Sequence, residues 1–136
     1  MSNTLKLNIL SPERRLVESA VVDYVTLPGS EGQIQVLPGH AAMIGTLNTG
    51  ALTYQILGQS PVSAVVSTGF FEVKGEEITL MAETIELKKE INLPRAKAAQ
   101  QKAEVALLDA DLDESRFRKY QLKLQRALIR QQVASQ

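Results

Sequence analysis

Hydrophobic and polar residues alternate along much of the first part of the chain, which is the pattern of strands that bury one face. Leu5, Leu7 and Ile9, for example, alternate with polar residues. Pro-Gly pairs and a Lys-Gly-Glu turn stop several of these runs. The predicted strands cover residues 5–9, 21–27, 33–37, 52–56, 62–66, 71–73 and 78–82. Short strands at this spacing predict an antiparallel β-sandwich, or flattened barrel, over residues 1–87.

The remaining residues have the three- and four-residue periodicity of helices. One small-residue series consists of Ala96, Ala99, Ala103, Ala106 and Ala110. This series predicts a first helix from Pro94 to about Ala110, with one face that allows close packing. Asn92 is the predicted N-cap, and Pro94 is tolerated in the first turn because its missing N–H costs little there.

A second helix is predicted from about Glu114 to Gln132. Asp111 followed by Glu114 resembles a capping box, with Asp in place of the usual Ser or Thr. The apolar stripe of this helix would comprise Phe117, Tyr120, Leu124 and Leu128. The predicted fold class is therefore α+β, with a sandwich domain over residues 1–87 and an antiparallel two-helix hairpin over residues 88–136.

The formal net charge of zero conceals an asymmetry between these two parts. Residues 1–87 hold four Lys and Arg against nine Asp and Glu, whereas residues 88–136 hold eleven against six. One basic stripe on the second helix comprises Arg116, Lys119, Lys123, Arg126 and Arg130. It has three interpretations: a solvated helix face, a weak nucleic-acid site, or a surface for an acidic protein.

Residue types that carry enzyme chemistry are sparse. The chain has no Cys and one His, which argues against a disulfide framework, a thiol nucleophile and a zinc site. It also lacks the glycine-rich motifs that bind nucleotide phosphates in many enzymes. We therefore expect neither catalysis nor a metal. No run approaches the roughly 20 apolar residues of a membrane-spanning helix, and the N-terminus lacks a secretory pattern, so a cytoplasmic protein is expected.

Three polar positions outside the stripe are candidates for binding. Glu31 and His40 lie in predicted turns, where each is either a solvated turn residue or a partner contact. Arg95 lies at the start of the first helix, where free N–H groups and the helix dipole attract anions. Together with Arg126 and Arg130 it could hold nucleotide phosphates, or it is simply an exposed first-turn arginine.

Three segments carry a resemblance to a known family. Residues 25–41 are VTLPGSEGQIQVLPGHA, residues 68–73 are TGFFEV and residues 90–96 are EINLPRA. They resemble, in order, the Pro-Gly-His hallmark, the Gly-Gly-Phe-x-Glu-Val strand and the Ile/Leu-Asp-x-x-Arg-Ala segment of the epsilon subunit of bacterial and chloroplast F-type ATP synthases. The resemblance extends over essentially the whole chain.

This resemblance implies a non-catalytic rotor component at the cytoplasmic face of the bacterial inner membrane. The sandwich would bind the gamma subunit and the c-ring, through contacts that include Glu31, Gln33 and His40. The hairpin would be a mobile, regulatory domain that extends along gamma and inhibits ATP hydrolysis. Its basic residues Arg116, Lys119, Lys123, Arg126 and Arg130 would meet an acidic loop of the catalytic beta subunit. Membrane association would occur only through the complex, with no nucleic-acid partner.

The resemblance also implies an alternative function as an ATP-gated switch. No cofactor is required, but in some relatives the folded hairpin binds ATP, which favours the non-inhibiting form. The corresponding residues are Asn92, Arg95, Ala96, Arg126 and Arg130. Because Asn92 replaces the family's Asp and lacks its charge, we expect weaker ATP binding than in relatives with Asp.

Overall fold

The computed structural model describes residues 4–136 of the chain, which form two compact units that meet in sequence between Leu87 and Lys88. The predicted absence of a secretory signal rests partly on residues 1–3, which lie outside the described residues. The strands are β1 (Lys6–Leu10), β2 (Arg15–Gly29), β3 (Gly32–Val36), β4 (Met43–Leu47), β5 (Gly50–Ile56), β6 (Val62–Val66), β7 (Gly69–Lys74), β8 (Glu77–Ala82) and β9 (Ile85–Leu87). A 3₁₀ turn (Lys88–Glu90) precedes the helices α1 (Leu93–Leu107) and α2 (Glu114–Ala134).

The strands of the first unit form the predicted sandwich, in which the long strand β2 joins two sets of strands. One set has the order β1-β8-β7-β4, and the other runs β2-β5-β6-β9 with β3 also paired to β2. The first part of β2 pairs with β1, and its later part pairs with β3 and β5. The prediction of an antiparallel sandwich is confirmed except for one pair, because β1 and β8 are parallel. Parallel partners need a long crossover, so no local turn signal announces them.

The alternation read from the sequence accounts for the core of this unit. Leu5, Leu7 and Ile9 are each at most 1% exposed, because successive side chains of a strand point to opposite faces. Phe71 is among the largest fully buried side chains. Atoms of its ring lie only 2.8 Å from the position that a Cβ on Gly45 would occupy. Gly45 therefore makes room for the aromatic ring on the neighbouring strand. Burial raises the pKa of Tyr54, and the charge of Arg14 partly opposes this shift.

Three strand assignments differ from the sequence prediction. Strands β4 and β9 were not predicted, and β2 begins at Arg15 rather than near Val21. A bulge explains the last difference: the register of β1 against β2 shifts between Leu7 and Ile9, and Ser19 there has φ 50°. The Ser19 N–H donates to Asn8 Oδ1 at 2.8 Å. The bulge interrupts the period-two pattern, so the sequence shows no strand where one exists.

Helix α1 begins one residue before the predicted Pro94, has the predicted cap and ends earlier than predicted. Asn92 is its N-cap, and its Oδ1 accepts a hydrogen bond from the Arg95 N–H at 3.1 Å. The helix ends at Leu107, so Ala110 lies outside it. Asp109 Oδ1 accepts from the Asp111 N–H at 3.0 Å, a local bond that competes with continued helix.

Helix α2 begins at the predicted residue with a different cap. Asp113, not Asp111, is the N-cap, and its Oδ1 accepts from the Arg116 N–H at 2.8 Å. The predicted apolar stripe is only partly correct, because Phe117 is 42% and Leu128 is 46% exposed. The fully buried residues of the two helices are Ala96, Ala103, Ala127 and Val133. Small residues let the helices approach closely, which leaves larger side chains at the flanks of the contact.

Candidate functional site

Several apolar side chains lie on the outer face of β4, β7, β8 and β1. Ile44 is 72%, Phe70 is 48% and Met81 is 36% exposed. Phe70 lies directly opposite Met81 across β7 and β8, and Leu10 lies opposite Met81 across β1 and β8. Ile44 faces Glu72, which is two residues along β7 from Phe70. Ile44 and Phe70 are therefore diagonal neighbours on one face, a separation that large side chains can span. We call Leu10, Ile44, Phe70 and Met81 the sheet patch.

A cavity of about 780 Å³ adjoins the sheet patch. Three of the four patch residues line it, together with residues of the β1–β2 connection such as Pro12 and Arg15. An apolar surface with an adjoining cavity is typical of a site that binds another molecule. The sequence analysis did not single out this surface. The adjacent Phe70 and Phe71 were the available signal, because only one of two successive strand residues can point into the core.

The predicted contact residues Glu31, Gln33 and His40 lie along one hairpin. Glu31 is exposed in the tight turn before β3, and Gln33 is exposed on β3 opposite Pro28. His40 follows the other end of β3, where its Nδ1 lies 2.8 Å from the Ala41 main-chain oxygen. Strand β3 separates His40 from Glu31 by about 17 Å. The structure therefore brings Glu31 and Gln33 together but leaves His40 at the far end.

The basic stripe lies along α2, and the structure adds Arg118 to it. A shallow groove of about 370 Å³ is lined by Ser115, Arg118, Lys119, Leu122, Lys123 and Arg126. Arg116 and Arg130 do not line this groove; Arg116 instead pairs with Asp113 at 3.9 Å. Arg118 was not predicted because it falls outside the series of three- and four-residue steps that defines the stripe. It lies four residues before Leu122, however, and so shares the helix face of the groove.

Individual contacts within the groove limit how its cations can act. The Lys123 ammonium lies 5.5 Å from the centroid of the Tyr120 ring, a distance suited to a cation–π contact. Arg126 Nε is buried and has no hydrogen-bond partner among the described residues. A buried donor without a partner lowers the stability of the folded chain. An anion that binds the Arg126 guanidinium and shifts it could restore a hydrogen bond to this Nε.

The candidate ATP residues do not converge on one point. The Asn92 side chain is engaged by the Arg95 N–H, and the Ala96 N–H donates to the Asn92 main-chain oxygen at 3.0 Å. Gln131 on α2 contacts Gln100 on α1, which fixes how the antiparallel helices align. At 1.5 Å per residue, Arg95 then lies about 15 Å along the hairpin from the level of Arg126 and about 9 Å from that of Arg130. An extended ligand could bridge Arg95 and Arg130, whereas Arg126 is distant from the cap.

Residues 4–136 contain no group of three or more His, Cys, Asp and Glu that could hold a metal ion. In the same residues, no helix is both long and apolar enough to cross a membrane.

Comparison with known proteins shows the family. Residues 4–88 match the family described as "ATP synthase, Delta/Epsilon chain, beta-sandwich domain". The ATP synthase epsilon chain of Trichlorobacter lovleyi is 42% identical, over 98% of this chain and 96% of that protein. The epsilon chain of Geobacter sulfurreducens is 40% identical over the same shares.

A solved structure has the same fold. A chain in the Euglena gracilis mitochondrial ATP synthase, determined as the OSCP/F1/c-ring assembly, aligns with a TM-score of 0.85 at 19% identity. The alignment covers 94% of this chain and 79% of that one. The sandwich, the two helices and the 40–42% identity to bacterial relatives over nearly the full chain agree. We conclude that this chain belongs to the family of ATP synthase epsilon chains.

Proposed function

We propose that this chain is a non-catalytic subunit that couples the gamma subunit to the c-ring and inhibits ATP hydrolysis through its helical hairpin. One observation carries the proposal: a single chain combines a large exposed apolar surface with a basic helix face. Apolar surfaces suit lasting attachment, since burying them gives most of the binding free energy. Charged surfaces suit a contact that forms and breaks, because they steer association and set register.

The sheet patch is the proposed attachment site for gamma. Its three exposed members Ile44, Phe70 and Met81 lie on a rigid sheet, so binding would cost little ordering of the main chain. The adjoining cavity can accept an apolar side chain of the partner.

The β2–β3 hairpin is the proposed second contact region. Glu31 and Gln33 project from one end of the hairpin and suit polar loops of the c-ring, whereas His40 at the other end would meet a different neighbour. Attachment to the c-ring would hold the chain at the cytoplasmic face of the bacterial membrane.

The basic face of α2 is the proposed inhibitory surface. Arg118, Lys119, Lys123 and Arg126 line one groove around Leu122, and Arg116 and Arg130 extend the charge beyond it. This arrangement suits an acidic segment of the catalytic beta subunit. Several cations within one Debye length of the partner would speed association and orient the hairpin.

Removal of the hairpin tests this function. A variant that ends at Leu87 should bind gamma normally and raise ATP hydrolysis by the reconstituted catalytic head several-fold, because the sandwich retains the attachment surfaces and loses the inhibitory one. The rates of ATP hydrolysis with the full-length and the truncated chain are compared at concentrations of each chain that saturate the catalytic head. Equal rates, with both forms bound, would show that the hairpin does not inhibit.

The ATP-gated switch is the second candidate function. It is favoured by Arg130, which lies about 9 Å from Arg95 along the hairpin, within reach of an extended ligand. Bound ATP would hold the two helices together and so shift the hairpin toward its closed form.

The cap residue provides a test of the switch. Asn92→Asp should keep the cap and tighten ATP binding by about tenfold. A carboxylate that accepts a hydrogen bond from an N–H or O–H group of the nucleotide binds it roughly 1.4 kcal/mol more strongly than a neutral amide does. Calorimetry of ATP binding to the full chain measures the change. Gln101→Glu is the matched control, since it adds the same charge at an exposed position of α1. Equal affinities of the Asn92→Asp variant and the unmodified chain would remove Asn92 from the site.

A further inference from the structure

Three of the four fully buried side chains of α1 and α2 are alanines. On α1 they are Ala96 and Ala103, which are each 2% exposed, and on α2 Ala127 is 1% and Val133 is 0% exposed. Alanine methyl groups bury little apolar area, so these three positions stabilise the closed hairpin only modestly. Alanines that recur at three- and four-residue spacing also present a similar surface after a shift of one turn. The alanines alone therefore select the alignment of the helices weakly.

Two glutamines interrupt this contact. Gln131 Nε2 donates to Gln100 Oε1 at 2.6 Å and to the Ala127 main-chain oxygen at 3.3 Å. Both glutamines are half-buried. The pair joins residues 31 positions apart in sequence, so it forms only when the helices are closed in this alignment.

The two amides favour one alignment without adding much stability. A helix shifted by one turn would leave each amide against alanine methyl groups, unpaired, which costs more than the pair gains. In an open hairpin both amides are hydrated. When the hairpin closes, the Gln100–Gln131 hydrogen bond replaces bonds to water, so it adds little to the stability of the closed state. A single polar residue in a helix–helix contact is known to specify alignment at a cost in stability.

We propose that Gln100 and Gln131 form a polar latch that selects the alignment of the closed hairpin while keeping the closed state easy to open. The latch concerns the hairpin itself. Its consequence for ATP hydrolysis rests on the inhibition proposed above.

Hydrogen exchange of the full chain tests the latch. Gln→Met changes keep the length of the side chain and remove the amide. Gln131→Met should lower the protection of α1 and α2 amides about fivefold, because it leaves the Gln100 amide without its partner. Gln100→Met should lower it less, because Gln131 keeps its bond to Ala127. The double variant should restore protection to at least the unmodified value, since two methionines pack without an unpaired amide.

The neighbouring Gln101→Met and Gln132→Met are the matched controls, because both of these glutamines are exposed. They should change protection less than twofold. The latch is supported if the effects of Gln100→Met and Gln131→Met on hydrogen-exchange protection are not additive in the double variant. Additive effects, or single variants that are no less protected than the controls, overturn it whatever the hairpin does in the complex.

Alignment is measured separately with spin labels. The chain has no cysteine, so cysteines placed at Lys102 and Gln125, both exposed, can be labelled selectively. The unmodified pair should give one narrow distance distribution. The double Gln→Met variant should add a second distance, shifted by several ångströms as expected for one helical turn. A single unchanged distance would overturn the role of the pair in alignment.

Inhibition of the catalytic head separates the latch from the proposed function. The double variant should inhibit hydrolysis less than the unmodified chain, because its hairpin stays closed longer. If the two substitutions have non-additive effects on hydrogen-exchange protection but inhibition is unchanged, the latch stands and inhibition by the open hairpin is contradicted. Unchanged protection would remove the latch and leave the inhibition to the truncation experiment.

Discussion

Gly69→Ala should lower the free energy of unfolding of the sandwich by about 3 kcal/mol or more. A Cβ at this position would lie 1.9 Å from the Met81 main-chain oxygen and 2.8 Å from Ala82 Cα. Both are main-chain atoms of β8, which cannot move aside as a flexible side chain can. Forcing extra atoms into a packed region costs about 1–3 kcal/mol and sometimes more, and separating β7 from β8 would also weaken their hydrogen bonds. Urea unfolding of the full chain measures the change.

Thr68→Ala is the matched control for this substitution, because Thr68 is the exposed neighbour of Gly69. It should change the free energy of unfolding by less than about 0.5 kcal/mol. If Gly69→Ala were as stable as this control, the close approach of β7 to Met81 would not exist in solution.

The second large effect concerns attachment to the partner. Phe70→Asp should weaken binding to the gamma subunit by about 100-fold, because a central aromatic residue commonly contributes more than 2 kcal/mol to an interface and a carboxylate there would be buried unpaired. Its effect on folding should be small, since the Phe70 side chain is 48% exposed. The measurement is the affinity of each variant for a catalytic head that contains gamma and from which the epsilon chain has been removed.

Gln59→Asp is the control for the added charge. Gln59 is exposed in the β5–β6 turn and lies outside the sheet patch, so this variant should bind gamma as the unmodified chain does. If Phe70→Asp, shown to be folded by its unfolding transition, bound equally well, the sheet patch would not be the attachment surface.

The two proposed surfaces differ in how conditions should affect them. Contacts of the sheet patch are apolar and depend little on ionic strength. Contacts of the basic groove weaken as salt is added, because the Debye length falls from about 10 Å at 0.1 M to about 3 Å at 1 M. Under the proposed function, added salt should therefore release the hairpin before it releases the sandwich from gamma.

Much of the fold was predictable because its signals are local. The alternation at Leu5, Leu7 and Ile9 is set by strand geometry, and the cap at Asn92 by its own side chain and the next three residues. The hairpin turn at Gly75, with φ 62°, follows from the freedom of glycine there. The alanine series on α1 likewise shows which face turns inward.

Errors arose where a local signal was interrupted or ambiguous. Strand β4 was not predicted, and Gly45 weakens its strand pattern while making room for Phe71 on the adjacent strand. The bulge at Ser19 concealed the first part of β2. Asp111 and Asp113 both suit an N-cap, and only the Arg116 N–H bond at Asp113 distinguishes them.

The candidate site depended more on tertiary structure than the fold did. Most strands, both helices, the cap of α1, the basic stripe and the family resemblance could be recognised from the sequence, because each depends on neighbouring residues or on a fixed spacing. Three features could be learned only from the folded chain: β1 runs parallel to β8, Phe70 lies beside Met81 in an exposed patch, and Gln100 pairs with Gln131. These features join residues distant in the chain, and their contacts depend on packing that no local pattern encodes.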